Sequence, residues 1–166
     1  ENFAKKHKVN HALAVTSCTT GLHLALAAMG VGPGDEVIVP AFTWVATANV
    51  VLYCGATPVF VDVSTKTFNM DPEQVASKVT GKTKVIIPVH LFGLCADMDA
   101  IKAVIPKRVK ILEDAACAAG AKYKGKYAGT LGDAAVFSFH PRKSITTGEG
   151  GMITTQNNLF SELMDQ

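Results

Sequence analysis

Lys143 lies where an apolar segment ending at Ser138 gives way to a glycine-rich segment at 148–151. A second apolar segment, 109–113, leads directly into Asp114. A lysine amine can form an imine with an aldehyde, and a carboxylate can keep a ring nitrogen protonated so that the ring withdraws electrons. This pair of residues therefore predicts the chemistry of pyridoxal 5'-phosphate (PLP), with Lys143 as the catalytic group.

Each of these residues also has an ordinary structural interpretation. Most lysines are simply solvated, although the strand end before Lys143 and the glycines after it would let a ligand approach the backbone. A buried carboxylate at Asp114 must be paired, either with a helix N-terminus or with a cationic ring nitrogen. Trp44 is the only tryptophan and could stack on a planar cofactor, but a lone tryptophan is more often part of a core. The residues alone leave these alternatives open.

Small and hydroxylated residues follow the first apolar strand at 17–20 and open a helical pattern. Free backbone N–H groups and hydroxyls at such a helix start can bind a phosphate. Alternatively, Thr19 or Thr20 is a simple N-cap, and for this motif alone the N-cap is favoured. Ser138 has a similar pair of interpretations, as a phosphate ligand or as a plain hydroxyl at the end of a strand.

The 166 residues are 48% hydrophobic and 18% charged, which suits a single domain with a substantial core. A net charge of +2 gives no electrostatic footprint for nucleic acid or for an anionic membrane. The uncharged stretch 37–61 is interrupted by prolines, Asn49 and Gly55, so no apolar run is long enough to span a bilayer. Four cysteines without a CxxC pair predict reduced thiols and a cytoplasmic protein.

Short apolar runs alternate with helical patterns, which predicts an α/β fold with a mostly parallel sheet and helices on both faces. Seven strands are predicted near 12–16, 36–40, 57–62, 85–89, 109–113, 133–138 and 151–155. Helices are predicted near 20–29, 43–53, 71–79 and 98–104, and the last residues, 159–166, resemble the opening of another helix. Since ligands bind beyond the carboxyl ends of strands in such folds, the expected site segments are 17–20, 42–44, 114–117 and 138–143.

Other chemistries fit this sequence poorly. The glycines at 30, 32 and 34 do not form GxGxxG and precede a strand, so the dinucleotide-binding fingerprint fails. The sequence contains no GxxxxGK[ST], HExxH or GxSxG motif. The five histidines lack metal-ligand spacing, so no metal site is predicted.

Taken together, several segments resemble the DegT/DnrJ/StrS-type aminotransferases, which make amino sugars on nucleotide carriers. The similarity extends along nearly the whole chain, through 16–22, 34–44, 55–63, 88–93, 113–116 and 138–151. It implies that residues 1–166 form the PLP-binding large domain of the aspartate aminotransferase-like fold (fold type I), with a seven-stranded sheet. It also implies that the chain is truncated, without the N-terminal arm and the smaller C-terminal domain of the relatives.

The resemblance implies a role for each matching position. Lys143 matches the lysine that forms the Schiff base with PLP and later moves protons as an acid–base group. Asp114 matches the partner of the pyridine nitrogen, and Trp44 matches the aromatic residue that stacks on the ring. The matches to the phosphate contacts are the backbone of Cys18 and Thr19 and the hydroxyl of Ser138.

Cys117 departs from the family pattern, because many relatives carry glutamine or histidine there, close to the phenolic oxygen of the cofactor. A thiol donates a hydrogen bond only weakly. The departure concerns the fine tuning of the imine and not the cofactor itself. The family role is therefore not assigned to Cys117.

In such enzymes glutamate usually donates the amino group, a nucleotide-linked keto sugar receives it, and the relatives are homodimers that share residues between sites. Three alternatives compete with amino transfer. Relatives that dehydrate deoxy sugars with PLP carry histidine in place of Lys143, which argues against a dehydratase. A non-catalytic regulatory or binding member would have no need of Lys143 together with Asp114. An unrelated doubly wound nucleotide-binding domain would require the phosphate loop that this sequence lacks.

Overall fold

The computed structural model describes residues 1–165, which form a sheet of seven strands and a separate two-stranded hairpin. The strands in chain order are β1 (His11–Val15), β2 (Glu36–Pro40), β3 (Thr57–Val61), β4 (Thr83–Ile86), β5 (Lys110–Asp114), β6 (Lys122–Tyr123), β7 (Lys126–Tyr127), β8 (Ala134–Ser138) and β9 (Gly151–Thr155). The large sheet has the order β1-β9-β8-β5-β4-β2-β3, and β6 pairs with β7.

Parallel pairing dominates the large sheet, which confirms the predicted fold class. The strands β3, β2, β4, β5 and β8 are parallel neighbours, whereas β9 runs antiparallel to both β8 and β1. The predicted strand at 85–89 is displaced, because β4 already ends at Ile86. Pro88 has no N–H for the ladder, and pairing resumes only as a single bridge between Val89 and Asp114.

Helices cover both faces of the sheet, as predicted. They are α1 (Asn2–His7), α2 (Cys18–Ala28), α3 (Ala46–Tyr53), α4 (Pro72–Lys78), α5 (Met98–Val104) and α6 (Asn158–Asp165). One face buries α2, α3 and α6 through side chains such as Leu26, Val51 and Phe160. The other face buries α4 and α5 through Val75 and Ile101.

Alternation along the strands explains why both faces are apolar. In β4, Val85 belongs to the core cluster on the first face and Ile86 to the cluster on the second. Successive side chains of a strand point to opposite faces, so a continuous run of β-branched residues supplies both cores at once. The apolar runs of β2, β4 and β8 therefore correspond to central strands with no face in water, whereas β3 lies at the edge of the sheet and leaves Phe60 half exposed.

The structure gives the observed bounds of two predicted helices, α3 and α6. The helix expected near 43–53 begins only at Ala46, so 42–44 forms a loop at the carboxyl end of β2. The helix expected from residue 159 is present as α6 through Asp165, and Gln166 lies outside the described residues. No helix within residues 1–165 combines the length and the hydrophobicity that crossing a membrane requires.

Candidate active site

One cavity of about 490 Å³ opens at the carboxyl ends of β2, β5 and β8. The parallel pairing of β2, β4, β5 and β8 brings these ends to the same edge of the sheet. All six residues that the sequence singled out line the cavity: Cys18, Thr19, Trp44, Asp114, Ser138 and Lys143. The topology therefore collects the candidate residues at the edge where ligands bind in open α/β sheets.

Lys143 follows β8 in a loop that folds back on the end of its own strand. The Lys143 N–H donates to the His140 carbonyl at 2.9 Å, and the Phe139 N–H donates to the Gly150 carbonyl at 2.9 Å. The side-chain amine reaches Cys117, with 3.1 Å between Nζ and Sγ. No sequence pattern predicts this contact, because the two residues belong to different loops. Lys143 thus presents its amine to the cavity beside a thiol.

Asp114 ends β5 and is almost completely buried. Its Oδ2 accepts a hydrogen bond from the Thr47 hydroxyl at 2.8 Å, and its Oδ1 accepts one from the Ala116 N–H at 3.2 Å. Burial raises the pKa of this carboxyl above its ordinary value, and the two hydrogen bonds partly oppose that rise. Within residues 1–165 no salt bridge reaches Asp114. A buried carboxylate with no cationic protein partner fits a cationic ring nitrogen in the cavity.

Glu113 precedes Asp114 and is completely buried on the other side of the strand. Its Oε1 accepts from the N–H groups of Leu131 and Gly132, at 2.7 and 2.6 Å. Its Oε2 accepts from the Gly129 N–H and from His90 Nε2, both at 2.8 Å. This carboxylate ties the end of β5 to two neighbouring segments. The sequence signal for it was a charged residue at the end of an apolar strand.

His90 completes this network and fixes its own tautomer. Its Nδ1 accepts the Ala96 N–H at 3.2 Å, so the ring proton is on Nε2, which donates to Glu113. The His90 backbone N–H also donates to the Asp114 carbonyl at 2.9 Å. The network therefore holds the backbone of Asp114 from behind the cavity.

The N-terminus of α2 forms another part of the cavity wall. Ser17 caps the helix, because its hydroxyl accepts the Thr20 N–H at 3.1 Å while the Thr20 hydroxyl accepts the Ser17 N–H at 3.1 Å. The alternative N-caps, Thr19 and Thr20, are therefore wrong. Cys18 and Thr19 instead occupy the first turn, where backbone N–H groups have no carbonyl partner inside the helix.

Residues of two strands lie close to this helix start. A Cβ on Gly151 would stand 2.9 Å from the backbone nitrogen of Cys18, so only glycine allows this approach. Ser138 is buried at the end of β8, and its Oγ accepts the His140 N–H at 3.4 Å, which leaves the hydroxyl hydrogen available. Burial raises the pKa of the Cys18 thiol, so Cys18 offers its backbone N–H rather than a thiolate.

Aromatic side chains stand around the mouth of the cavity. Trp44 is 71% exposed and Phe92 is 77% exposed, and Phe42 is also exposed. The interpretation of Trp44 as a core residue is therefore wrong, since its loop leaves the sheet before α3 begins. Phe42 lies in the expected site segment 42–44, whereas Phe92 carried no distinct signal in the sequence. Exposed aromatic faces of this kind can stack on a planar ligand.

Ionisable side chains border Lys143 on one side of the cavity. His140, Arg142 and Glu149 line it, and 3.8 Å separates His140 Nε2 from Glu149 Oε1. Their position in the loop between β8 and β9, close to Lys143, could have identified them from the sequence. The cavity therefore joins an amine, a buried carboxylate, free helix N–H groups and an aromatic rim.

Comparison with known proteins agrees with this geometry. The DegT/DnrJ/EryC1/StrS aminotransferase family matches residues 1–166. The chain belongs to this family. The aspartate aminotransferase-like α/β fold that the resemblance implied is confirmed by solved structures of aminotransferases with the same fold.

Individual family members give the extent of the likeness. The GDP-perosamine synthase of Caulobacter vibrioides is 55% identical over 157 residues, which are 94% of this chain and 42% of that protein. The structure of an aminotransferase from Psychrobacter cryohalolentis has a TM-score of 0.95 at 43% identity, covering 98% of this chain and 42% of that one. A Streptococcus pneumoniae protein solved in its PLP form has a TM-score of 0.94 at 36% identity, covering 99% and 47%. The chain thus spans about two fifths of the length of the curated relative.

Proposed function

We propose that residues 1–166 are the cofactor-binding large domain of a PLP-dependent aminotransferase that acts on a keto sugar carried by a nucleotide. One observation carries the proposal: the Lys143 amine and the buried Asp114 carboxylate line the same cavity. Membership of an aminotransferase family and the likeness to a protein solved in its PLP form support it.

The side chains around the cavity fit PLP. Lys143 would hold the cofactor covalently through its amine, Asp114 would pair with the ring nitrogen, and Trp44 would stack on the ring. The group that would bind the phosphate consists of the N–H groups of Cys18 and Thr19 and the hydroxyl of Ser138.

When bound, PLP supplies a ring that accepts electrons from the carbon bearing the amino group. The protein's part is to hold charge and to move protons. Asp114 would keep positive charge at the ring nitrogen, since an ionised carboxylate only accepts hydrogen bonds. The Lys143 amine would be the acid–base group, taking a proton from the carbon that bears the amino nitrogen and returning it to the carbon on the other side of that nitrogen. Cys117, with its Sγ 3.1 Å from Nζ, holds that amine at the cavity wall.

The proposed amino acceptor is a nucleotide-linked keto sugar, and the proposed donor is glutamate. A relative that makes GDP-perosamine, at 55% identity, supports the sugar-nucleotide class. We propose a homodimer as the working assembly, because the exposed aromatic side chains of Phe42 and Phe92 at the cavity mouth suit burial against a second copy. None of the four cysteines is in a disulfide, which accords with the proposed cytoplasmic location.

The alternative functions have less support. A dehydratase of this family would carry histidine in place of Lys143, and a regulatory member would need neither the lysine nor a buried carboxylate. Burying a carboxylate without a cation is costly, so Asp114 is more readily explained by a ligand that pairs with it.

The experiment that tests this function is a titration of the full-length protein with PLP, followed by borohydride reduction and mass mapping of the modified peptide. We expect one stoichiometric adduct, at Lys143, and its loss in Lys143→Ala. Lys122→Ala is the matched control, because Lys122 is exposed on the β6–β7 hairpin and should leave labelling unchanged. A folded protein without an adduct at Lys143 would overturn the proposal.

The same preparation tests the choice among PLP activities. Glutamate should convert the bound cofactor to its amine form, with the corresponding change in absorbance, and a nucleotide-linked keto sugar should reverse that change. Loss of water from a deoxy sugar nucleotide without consumption of glutamate would favour the dehydratase instead.

A further inference from the structure

We propose that Thr47 is a positioning residue that aims the Asp114 carboxylate and keeps it ionised for a cationic ring nitrogen. The inference rests on the proposed function, because it assigns Asp114 a cofactor as its partner. Neither the motifs of the sequence nor the family resemblance singled out Thr47.

The contact is direct and shielded from water. Thr47 is 0% exposed, and its hydroxyl donates to Asp114 Oδ2 at 2.8 Å. Thr47 lies in the first turn of α3, and its backbone N–H donates to the Trp44 carbonyl at 3.1 Å. One helical turn thus contacts both the carboxylate that would bind the ring nitrogen and the segment that would stack on the ring. Its hydroxyl and its N–H act on different parts of the same cavity.

The hydroxyl groups have a defined donor direction. An ionised carboxylate only accepts hydrogen bonds, so the Thr47 hydroxyl must donate its single hydrogen to Asp114. The hydroxyls of Thr43 and Thr47 are 3.1 Å apart, and therefore Thr43 must be the donor in that pair. Both threonines line the cavity. An ionised carboxylate accepts the hydrogen bond from Thr47 more strongly than a neutral carboxyl does, so the order Thr43 to Thr47 to Asp114 favours the ionised form.

Burial and hydrogen bonding act in opposite directions on the Asp114 pKa, so a single hydrogen bond can change how far the carboxyl is ionised. Burial raises the pKa of the Asp114 carboxyl, whereas the hydrogen bonds from Thr47 and Ala116 lower it. Among the other titratable groups, Lys143 and the protonated form of His90 also lower the Asp114 pKa, and the Asp114 carboxylate in turn raises the pKa of the neighbouring Cys18 thiol. Thr47 is the only side chain in the described part of the chain that hydrogen-bonds to this carboxylate.

The test compares Thr47→Ala with Thr47→Ser in the full-length protein. Both substitutions remove the same buried methyl group, and only the alanine variant also loses the hydroxyl. The first readout is the pKa of Asp114 without PLP, from carbon NMR of labelled aspartate assigned with Asp114→Asn. The second is the dissociation constant of PLP. We expect Thr47→Ala to raise the Asp114 pKa and to weaken PLP binding by roughly ten- to a hundredfold, as for a lost hydrogen bond to a charged group.

Thr47→Ser should retain the Asp114 pKa and bind PLP within about threefold of the wild type, since its hydroxyl can still donate. Equal behaviour of the serine and alanine variants would overturn the role of the hydroxyl. If Thr47→Ala does not fold, Thr43→Val decides instead, because removing the preceding donor should shift both readouts in the same direction, and unchanged values would refute the proposal. If the wild type takes no PLP at Lys143, the proposed function fails, while the titration of Asp114 still decides whether Thr47 controls its ionisation.

Discussion

Glu113 and Asp114 are adjacent buried carboxylates that the fold treats differently. Glu113 accepts four hydrogen bonds, including one from His90, so each of its two carboxylate oxygens has two donors. Asp114 receives two and faces the cavity. A carboxyl with a raised pKa in a cleft is a candidate functional group, whereas a carboxylate saturated by backbone N–H groups is structural. Glu113 is therefore the structural residue of this pair, and Asp114 is the candidate functional one.

Asp114→Asn should stabilise the protein without cofactor at neutral pH and weaken its binding of PLP. Burial raises the pKa of the Asp114 carboxyl above its ordinary value of 3.8. The contribution of this carboxyl to stability is therefore fully present at pH values below 3.8, and it is lost as pH rises through the folded-state pKa. Asparagine carries no such penalty. Thermal unfolding at about pH 7 should give a higher Tm for the variant, and the difference should shrink toward about pH 4.5.

A lower Tm for Asp114→Asn at neutral pH would contradict this account of the site. PLP affinity should fall by roughly ten- to a hundredfold in the same variant, because the ring nitrogen loses its charged partner.

At the scale of elements, α2 owes its position to glycine. A Cβ on Gly21 would stand 2.6 Å from Val136 Cγ1 and 3.1 Å from Val15 Cγ2. The helix therefore lies directly against β8 and β1, with its free N–H groups at the cavity. The sequence predicts a helix near this place from its leucine and alanine content, but the closeness of the approach depends on strands distant in the chain.

Gly21→Ala should destabilise the protein, although glycine in a helix normally costs about 0.5–1 kcal/mol relative to alanine. The clash with Val136 outweighs that gain, and overpacking of a core costs about 1–3 kcal/mol. Urea unfolding measures the balance. Gly81→Ala is the control, since a Cβ there would meet no heavy atom within 4 Å, and its stability should stay close to wild type. Unchanged stability in Gly21→Ala would mean that α2 can move away from the sheet.

At the scale of the whole molecule, β1 from the early part of the chain forms one edge of the large sheet beside β9 from its late part. β1 pairs with β9 through contacts such as His11 with Thr155. α1 then covers β8, because Phe3 and His7 both pack on Phe137. His7 is buried, and its Nδ1 donates to the Ala128 carbonyl at 3.2 Å. The strand that precedes Lys143 is thus supported by residues from the start of the chain.

His7 should make stability depend on pH. Burial lowers the pKa of His7 below its ordinary value of 6.5, so the unfolded chain binds the proton more readily than the folded one. The contribution of His7 to the free energy of unfolding is fully present at pH values above 6.5, and it is lost as pH falls through the folded-state pKa. Urea unfolding at about pH 7.5 and about pH 5.5 should show a smaller loss of stability in His7→Leu than in the wild type.

The exposed residue His23 provides the control, since His23→Leu should keep the full pH dependence of the wild type. An equal loss in wild type and His7→Leu would show that α1 does not hold a neutral imidazole against β8.

The sequence by itself determined which residues could do chemistry and which segments are strands. Six of the seven predicted strands lie within about a residue of their observed bounds, and β4 departs because of a proline. Apolar runs and turn residues are local signals, so single segments can be read one at a time. The lysine and the aspartate were recognisable because each follows such a segment.

Only the tertiary structure decided the strand order, the contact between Lys143 and Cys117 and the hydroxyl that Thr47 places on Asp114. These partners are far apart in the chain, and their meeting depends on which strands pair and on how closely helices approach them. The difference between Glu113 and Asp114 has the same origin, since burial and hydrogen-bond donors come from other segments. Pairing and packing are properties of the assembled sheet, and no local pattern in the chain encodes them separately.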